Sequence, residues 1–399
     1  MYEIVNSDAE IRELLNKDVS VTLEESTIVN SSTSVIKDIL NTKETIESYE
    51  QTKMQLENLY DTLKGVFDYA KVPIELRDRQ FLNKTGFAMS PANAITTLND
   101  VFRISAFVRS IDKAIKDLRE IYKNETLHIT YPACGPLAPL LIPLLAYYKN
   151  SNIYNGDDLK VTFIDIQEGA IISLIEILKI TNLDIFVKDI LLMDAVEYKS
   201  DEKIHLVVLE AMQHGFTKEG HLSISKHFAS LLDANGIFLP EEVNINAVIA
   251  IGQNEYNEQW KDKEFASFAN RDEEIFNQRT LLGTILKVNL ETLKNMKILE
   301  LDENTRLIKC KTVTIPHFKD EDNRRIILFS TNITIYQDEV INEYDSGITH
   351  PLPNLDICIN FIPKKDKKKT DLYVKSGDDI TFYYKLVGLP GFLATKENK

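Results

Sequence analysis

From Leu127 onwards the sequence alternates short apolar runs with stretches of helical length, and this alternation constrains the fold more than any other feature. Repeated strand–helix units of this kind predict a parallel, doubly wound α/β sheet. In such a sheet, ligands bind outside the carboxyl ends of the strands, so the residues after each strand are candidate site residues. The predicted strands are Leu127–Tyr131, Leu159–Asp165, Asp184–Lys188, Ile204–Leu209 and a fifth into which Asn235-Gly236 turns.

Two regions of different texture flank the alternating region. Residues 1–75 are almost free of glycine and proline, and their apolar residues recur near helical spacing, which predicts a helical N-terminal extension. The alternating region itself predicts a Rossmann-like domain over residues 76–240. Residues 241–399 carry many β-like runs separated by turn residues, which predicts an all-β domain, with a barrel favoured over an open sheet.

Composition limits the classes of partner. The 399 residues are 44% hydrophobic and 27% charged, which is enough core material for two domains. The formal net charge of −15 argues against binding to nucleic acid or to an anionic membrane. Three cysteines far apart in sequence, with no CxxC motif, predict neither a metal site nor a disulfide framework. The N-terminus is unlike a signal peptide, and the longest apolar run is broken by prolines, so we expect a soluble, cytoplasmic protein.

Two glutamates nine positions apart, Glu210 and Glu219, follow the fourth predicted strand. Carboxylates at the buried end of a strand are costly unless a cation or several donors compensate them. A planar guanidinium or another amine cation is the natural guest for two convergent carboxylates. The alternative, that both are solvated loop glutamates, stays open because carboxylates mostly remain exposed.

The first strand is followed by the turn Ala133-Cys134-Gly135-Pro136. A turn at this place brings backbone N–H groups and the start of a helix to the edge of the sheet, where a nucleotide can approach. The alternative interpretation is a proline-shaped loop that leads into a buried helix.

Acidic residues also end the second and third predicted strands. Asp165, followed by Ile166, stands where an acid commonly binds ribose hydroxyls in nucleotide-binding sheets. Asp189, followed by Ile190, stands where an acid can meet an adenine amino group. Each aspartate alone fits a helix N-cap, but their recurrence at successive strand ends favours a shared ligand.

Several motifs between about Phe87 and Phe392 resemble those of class I S-adenosylmethionine-dependent methyltransferases, specifically protein arginine methyltransferases. The double-E loop of that family, Ser-Glu-x-Met-Gly-x-x-x-x-x-Glu, is similar to Leu209–Glu219 in the spacing of its glutamates and in its methionine. The family's Leu-Lys-Asp-x-x-Arg helix is similar to the segment Leu98–Arg103, and its Thr-His-Trp motif is similar to Thr349-His350.

The resemblance implies S-adenosyl-L-methionine as the cofactor and a homodimer, since the family carries a dimerisation arm where this chain has Gln253–Gln278. It also implies that Arg103 binds the carboxylate of the cofactor and that the two glutamates form a substrate clamp. His350 would be a proton acceptor or an orienting partner. A structural histidine at a domain junction is the alternative. The implied cofactor-binding residues are Arg103, Ala133, Cys134, Gly135, Asp165, Ile166, Asp189 and Ile190, and the implied catalytic residues are Glu210, Glu219 and His350.

Three departures from the family pattern bear on function. The turn Ala133–Pro136 replaces Gly-x-Gly-x-Gly, Pro351 replaces the tryptophan, and the stretch Gln80–Met89 has no tyrosine pair. The acceptor therefore stays open between a protein arginine, a peptide and a small metabolite that carries a guanidinium or amine. Two further alternatives are an O- or C-methyltransferase, for which two buried glutamates have no evident use, and a scaffold without catalysis.

Overall fold

The computed structural model describes residues 24–42, 46–257, 272–319, 324–363, 365 and 367–397. Residues 1–23 of the predicted N-terminal extension lie outside the described residues. So do residues 258–271 of the predicted dimerisation arm, including Trp260. Within the described part of the chain, no helix combines the length and the apolar character needed to cross a bilayer.

The chain between residues 24 and 100 is mainly helical, as predicted for most of this segment. Its elements are α1 (Glu25–Asn41), α2 (Ile46–Tyr69), α3 (Ile74–Arg77), the hairpin strands β1 (Phe81–Leu82) and β2 (Phe87–Ala88), α4 (Pro91–Ala94) and a 3-10 turn (Ile95–Asn99). Buried residues on α1, including Ile28, Val35 and Ile39, recur at helical spacing and form its inner face.

A five-stranded parallel sheet follows and confirms the predicted doubly wound topology. Its elements are α5 (Val101–Ile121), β3 (Leu127–Pro132), α6 (Ile142–Asn150), β4 (Leu159–Asp165), α7 (Glu168–Thr181), β5 (Val187–Leu192), β6 (Ile204–Val208), α8 (His221–Phe228) and β7 (Leu232–Leu239). The strand order is β5-β4-β3-β6-β7, with every pair parallel. The order reverses between β3 and β6, and all residues of these two strands are buried. A crevice outside the carboxyl ends of these two strands is therefore the expected place for a ligand.

The N-terminal helices add a layer to this core. Helix α1 packs against α6, while α2 packs against α7 and the 3-10 turn before α5. Two predicted strand boundaries are wrong. Asp184–Phe186 form a 3-10 turn, and the apolar residues that follow carry β5 on to Leu192. Asn235-Gly236 lie inside β7, where they contribute to the strand and do not form a turn before it.

The chain after β7 is all-β, as predicted, with short helices between some strands. Its elements are β8 (Glu242–Ile251), α9 (Gly252–Glu255), α10 (Glu273–Asn277), β9 (Thr280–Asn289), α11 (Leu290–Asn295), β10 (Ile298–Asp302), β11 (Thr305–Thr314), β12 (Arg325–Tyr336), β13 (Glu339–Ile341), a 3-10 turn (Gly347–Thr349), β14 (Leu352–Asn354), β15 (Ile357–Ile359), β16 (Leu372–Val374), β17 (Asp379–Lys385) and β18 (Gly391–Lys396).

The strands of the predicted barrel are not hydrogen-bonded into one closed cylinder among the described residues. One antiparallel sheet has the order β13-β12-β8-β9, with β14 also on β12, and the other has the order β10-β11-β17-β18. The sheets pack through aromatic side chains, with the ring centroid of Phe329 lying 5.8 Å from that of Phe382 and 4.6 Å from that of Phe392. Face-to-face packing thus buries the apolar side chains without closure of the hydrogen bonding.

The all-β region reaches the parallel sheet near the carboxyl ends of β3 and β6. Ser346 Oγ donates a hydrogen bond to Asp100 at 2.6 Å, and the N–H of Gly347 donates to the same carboxylate at 3.2 Å. The hydroxyl of Tyr384 donates to the carbonyl of Phe216 at 2.8 Å. These contacts fix the start of α5 and the loop after β6 relative to each other.

Candidate functional site

A cavity of about 710 Å³ lies at the carboxyl ends of β3 and β6, the position expected for a ligand site in this fold. Its size is within the range of small-molecule and cofactor sites. The predicted site residues that line it are Arg103, Ala133, Cys134, Gly135, Asp165, Ile166, Glu210 and Glu219. Asp189, Ile190 and His350 are not among the residues that line it.

Arg103 is held between two carboxylates. Asp100 is the N-cap of α5, and its side chain accepts a hydrogen bond from the backbone N–H of Arg103 at 3.2 Å. The Nε and Nη2 groups of Arg103 also donate to Asp100 Oδ2, at 3.1 and 2.9 Å, and Nη1 donates to Glu210 Oε1 at 2.9 Å. The side chains of Arg103 and Glu210 are only 13% and 12% exposed, so water screens this pair weakly.

Both glutamates reach the cavity, and burial changes their ionisation. Burial, together with the nearby carboxylate of Glu219, raises the pKa of Glu210 to about 7 against the opposing effect of Arg103. Burial also raises the pKa of Glu219, although Gln213 Nε2 donates a hydrogen bond to its Oε1 at 2.8 Å. A cation brought into the cavity would favour the charged form of both groups.

The loop from Glu210 to Glu219 has a strained backbone. Phe216 and Lys218 have φ angles of 56° and 66°, in the left-handed region that side-chain-bearing residues rarely adopt. Gly215 has a φ of 63°, and a Cβ atom there would lie 2.6 Å from the side chain of Leu352, so this position requires glycine. Such strain costs of order 1–3 kcal/mol per residue and concentrates at functional sites.

The turn after β3 keeps a glycine-like backbone even though its first position is alanine. Ala133 and Gly135 have φ angles of 52° and 68°. The N–H of Gly135 donates to Asp165 Oδ2 at 2.8 Å, and the N–H of Gln167 donates to Asp165 Oδ1 at 2.8 Å. Burial raises the pKa of Asp165 to about 6, against the effect of these backbone hydrogen bonds. A Cβ atom on Gly135 would meet no atom within 4 Å, so the turn leaves open space at this position.

Strand β5, the third strand of the parallel sheet in chain order, is followed by cavity-lining residues that differ from those predicted. Asp189 and Ile190 lie inside β5, because the strand continues to Leu192. Met193 and Asp194 follow the true strand end and line the cavity. The run of apolar residues up to Met193 was the sequence signal for this later boundary.

His350 lies beside the cavity and is not part of its lining. Its ring packs edge-on against Tyr344 at a centroid distance of 5.0 Å, and burial lowers its pKa to about 4. The side chain that contacts Asp100 from this segment is that of Ser346. His350 therefore lies outside the cavity lining, and its role as a proton acceptor or orienting partner stays a prediction.

The lining residues that the sequence did not predict include three on helix α2 and one after β4. Helix α2 contributes Tyr49, Glu50 and Lys53, whose only sequence signal is helical spacing. Gln167 also lines the cavity; its Nε2 donates to the carbonyls of Arg79 and Met89 at 2.8 Å each. Its Oε1 is buried and has no protein partner among the described residues.

No protein-family model matches this sequence, and no curated protein is significantly similar to it. Among solved structures, a chain of the Trypanosoma brucei PRMT1 enzyme–prozyme heterotetrameric complex with AdoHcy aligns with 77% of this chain and 98% of its own length. The identity is 11% and the TM-score is 0.42. Arabidopsis thaliana protein arginine methyltransferase 10, in an open conformation, aligns with 70% of this chain and 84% of its own length, at 14% identity and a TM-score of 0.38.

Proposed function

We propose that this chain is an S-adenosyl-L-methionine-dependent N-methyltransferase whose acceptor is a guanidinium or amine nitrogen. The observation that carries the proposal is that Arg103, Glu210 and Glu219 line one cavity at the switch point of a doubly wound sheet. Buried carboxylates in excess of cations are unfavourable unless a positively charged ligand neutralises them.

The residues of the cavity fit the proposed cofactor. Asp165 would accept hydrogen bonds from the ribose hydroxyls, on the lone pairs that the N–H groups of Gly135 and Gln167 leave free. The buried Oε1 of Gln167 would accept a further donor. Asp194 would accept the adenine amino group, a role that the sequence analysis gave to Asp189. Arg103 uses three of its five N–H groups on Asp100 and Glu210, so two are left for a carboxylate.

The charge of the lining supports a cationic acceptor over a neutral one. Among the described residues, the lysine and arginine side chains that line the cavity are those of Lys53 and Arg103. Its acidic side chains are Glu50, Asp100, Asp165, Asp194, Glu210, Glu219 and Asp345. A neutral hydroxyl or carbon acceptor would leave this excess of negative charge without a function. A protein arginine, a peptide and a small guanidino or amino metabolite all remain suitable acceptors.

When bound, S-adenosylmethionine would supply the methyl group: the acceptor nitrogen bonds to the methyl carbon, the carbon–sulfur bond breaks with its electron pair on sulfur, and the nitrogen releases one proton. Glu210 and Glu219 would grip the acceptor and draw its positive charge away from the attacking nitrogen. Alignment of this kind supplies about 7–11 kcal/mol of a barrier in model systems. The carboxylate of Glu210, which lines the cavity, would accept the released proton.

A transfer assay tests the proposal. Purified protein is incubated with S-adenosylmethionine labelled in the methyl group, and with arginine peptides or free guanidino compounds as acceptors. We expect labelled product from the wild type and a loss of about 100-fold or more in Glu210→Gln and Glu219→Gln, as for other buried electrostatic groups at reaction centres. Transfer by both variants at the wild-type rate would contradict the substrate clamp, and no labelled product with any acceptor would count against the activity.

We also propose that the chain acts as a homodimer and consists of an extension (1–75), a cofactor-binding domain (76–240) and an all-β domain (241–399). The basis for the dimer is the stretch Gln253–Gln278, which joins β8 to β9. Protein arginine methyltransferases, which the sequence resembles, carry a dimerisation arm at this place. Light scattering across micromolar concentrations would give twice the mass of the chain for a dimer, and a monomeric mass throughout would overturn this proposal.

A further inference from the structure

Helix α2 of the N-terminal extension reaches the start of α5. The ring of Tyr49 stacks on the ring of Phe102, with centroids 5.0 Å apart and planes at 26°. Phe102 directly precedes Arg103, the residue proposed to bind the cofactor carboxylate. Residues four apart lie on the same face of a helix, so Lys53 stands one turn beyond Tyr49 on the face that lines the cavity.

Two neighbouring carboxylates already balance the positive charge of Arg103. Asp100 and Glu210 both accept hydrogen bonds from its guanidinium within 3.1 Å. With both carboxylates ionised, these three side chains carry a net charge of −1. A ligand carboxylate at the remaining N–H groups of Arg103 would therefore meet net repulsion unless a second cation lies nearby.

Lys53 is the other cationic residue that lines the cavity within the described part of the chain. Within the part of the chain that the structure describes, Arg103 and Lys53 are the only lysine or arginine residues that line the cavity. The same described residues offer the Lys53 ammonium neither a hydrogen bond nor an ion pair. By contrast, Lys64, further along α2, pairs with Asp68 at 3.0 Å and does not line the cavity. An ordered ammonium–carboxylate contact would satisfy both groups.

We infer that Lys53 binds the carboxylate of the amino-acid part of the cofactor, so that the N-terminal extension completes the site. The inference rests on the proposed function, and it gives a specific role to helix α2, for which the sequence analysis found none. Arg103 and Lys53 would then bind the same cofactor carboxylate. Arg103, held in place by Asp100 and Glu210, would orient the carboxylate, and Lys53 would supply the positive charge that balances it.

Calorimetric titration with two ligands isolates this contact. S-adenosylhomocysteine carries the amino-acid carboxylate, and 5′-methylthioadenosine has the same nucleoside and sulfur without it. We expect Lys53→Met to lower the affinity for S-adenosylhomocysteine about tenfold. Its affinity for 5′-methylthioadenosine should stay within twofold of the wild-type value. We expect Lys53→Arg to restore most of the affinity, and Lys64→Met, the matched control on the same helix, to change neither ligand.

The outcomes separate this inference from the proposed function. If the wild type binds neither ligand at millimolar concentration, both fail. If the wild type binds S-adenosylhomocysteine and Lys53→Met binds it equally well, only the role of Lys53 fails. An equal loss of both ligands in Lys53→Met would show a structural effect on the cavity and would overturn the carboxylate contact as well.

Discussion

Arg103 donates a hydrogen bond to Glu210 across 107 positions of sequence, with Nη1 and Oε1 2.9 Å apart. The pair joins the start of α5, proposed to hold the cofactor, to the loop after β6, proposed to hold the acceptor. Asp100, the third member of the cluster, is in turn bound by Ser346 of the all-β region. One buried ion cluster therefore connects the two proposed binding regions with the all-β region.

Removal of the guanidinium should destabilise the protein. In Arg103→Met, Asp100 and Glu210 lose a buried partner, and we expect the free energy of unfolding at pH 8 to fall by about 3–5 kcal/mol. Urea denaturation at pH 8 measures this loss. Lys64→Met, which removes an exposed ion pair with Asp68, should cost less than about 1 kcal/mol. Equally small losses in the free energy of unfolding of the two variants would show that the buried ion pairs of Arg103 do not stabilise the protein more than an exposed ion pair does.

The raised pKa of Glu210 predicts a pH dependence of stability with a definite sign. Because its folded pKa is about 7 and its ordinary value is 4.5, the folded state holds a proton that the unfolded state has released within this interval. The contribution of Glu210 to the free energy of unfolding should therefore fall as the pH rises from about 5 to 8. Glu210→Gln should lose part of this dependence, on the order of 1–3 kcal/mol, since one pKa unit corresponds to about 1.4 kcal/mol. Urea titrations of both proteins across this range check the prediction, and parallel curves would refute it.

Substitutions at the two left-handed positions of the turn after β3, Ala133 and Gly135, should change the free energy of unfolding in opposite directions. Gly135→Ala should destabilise the protein by about 1–2 kcal/mol through backbone strain alone, because a Cβ atom there meets no neighbour within 4 Å. Ala133→Gly relieves similar strain but increases the entropy of the unfolded chain, so we expect a small net gain of about 0.5 kcal/mol. Thermal or urea unfolding of both variants would show this contrast, and a loss in Ala133→Gly comparable to that in Gly135→Ala would be inconsistent with it.

The corrected end of β5 predicts which aspartate contacts adenine. Asp194→Asn should weaken the binding of adenosine-containing ligands about tenfold, because an amide presents one acceptor atom where the carboxylate presents two. Asp189→Asn, inside β5 and outside the cavity lining, should bind as the wild type does. Titration of both variants with S-adenosylhomocysteine compares them directly. The reverse ranking would restore the assignment of Asp189.

The parallel, doubly wound sheet and the position of Glu210 and Glu219 after its fourth strand follow from the sequence, because strand periodicity and the residues at strand ends are local properties. The meeting of both glutamates with Arg103 in one cavity does not follow from local pattern, and Arg103 was predicted from the family resemblance alone. The end of β5 does not follow so directly, since apolar residues occur both inside a strand and just beyond it. The sequence therefore predicts Asp189 at the end of this strand, whereas Asp194 follows its true end and lines the cavity.

Other features depend on packing between segments that are distant in sequence. The cavity contacts of Tyr49 and Lys53 require α2 to lie along the start of α5, and no local pattern encodes that placement. His350 was selected by resemblance, yet its neighbour Ser346 reaches Asp100, because the geometry of the 3-10 turn decides which side chain faces α5. The extent of sheet closure likewise depends on hydrogen bonds between strands that are not adjacent in sequence.

Calorimetric titration with S-adenosylmethionine tests the claim that the cavity at the carboxyl ends of β3 and β6 binds this cofactor. We predict saturable binding to the wild type, loss of that binding in Asp165→Ala, and its retention in Asp189→Ala, with thermal melting used to verify that both variants are folded. The absence of any binding to the folded wild-type protein at millimolar ligand would contradict the claim and would favour a methyltransferase-like scaffold without catalysis.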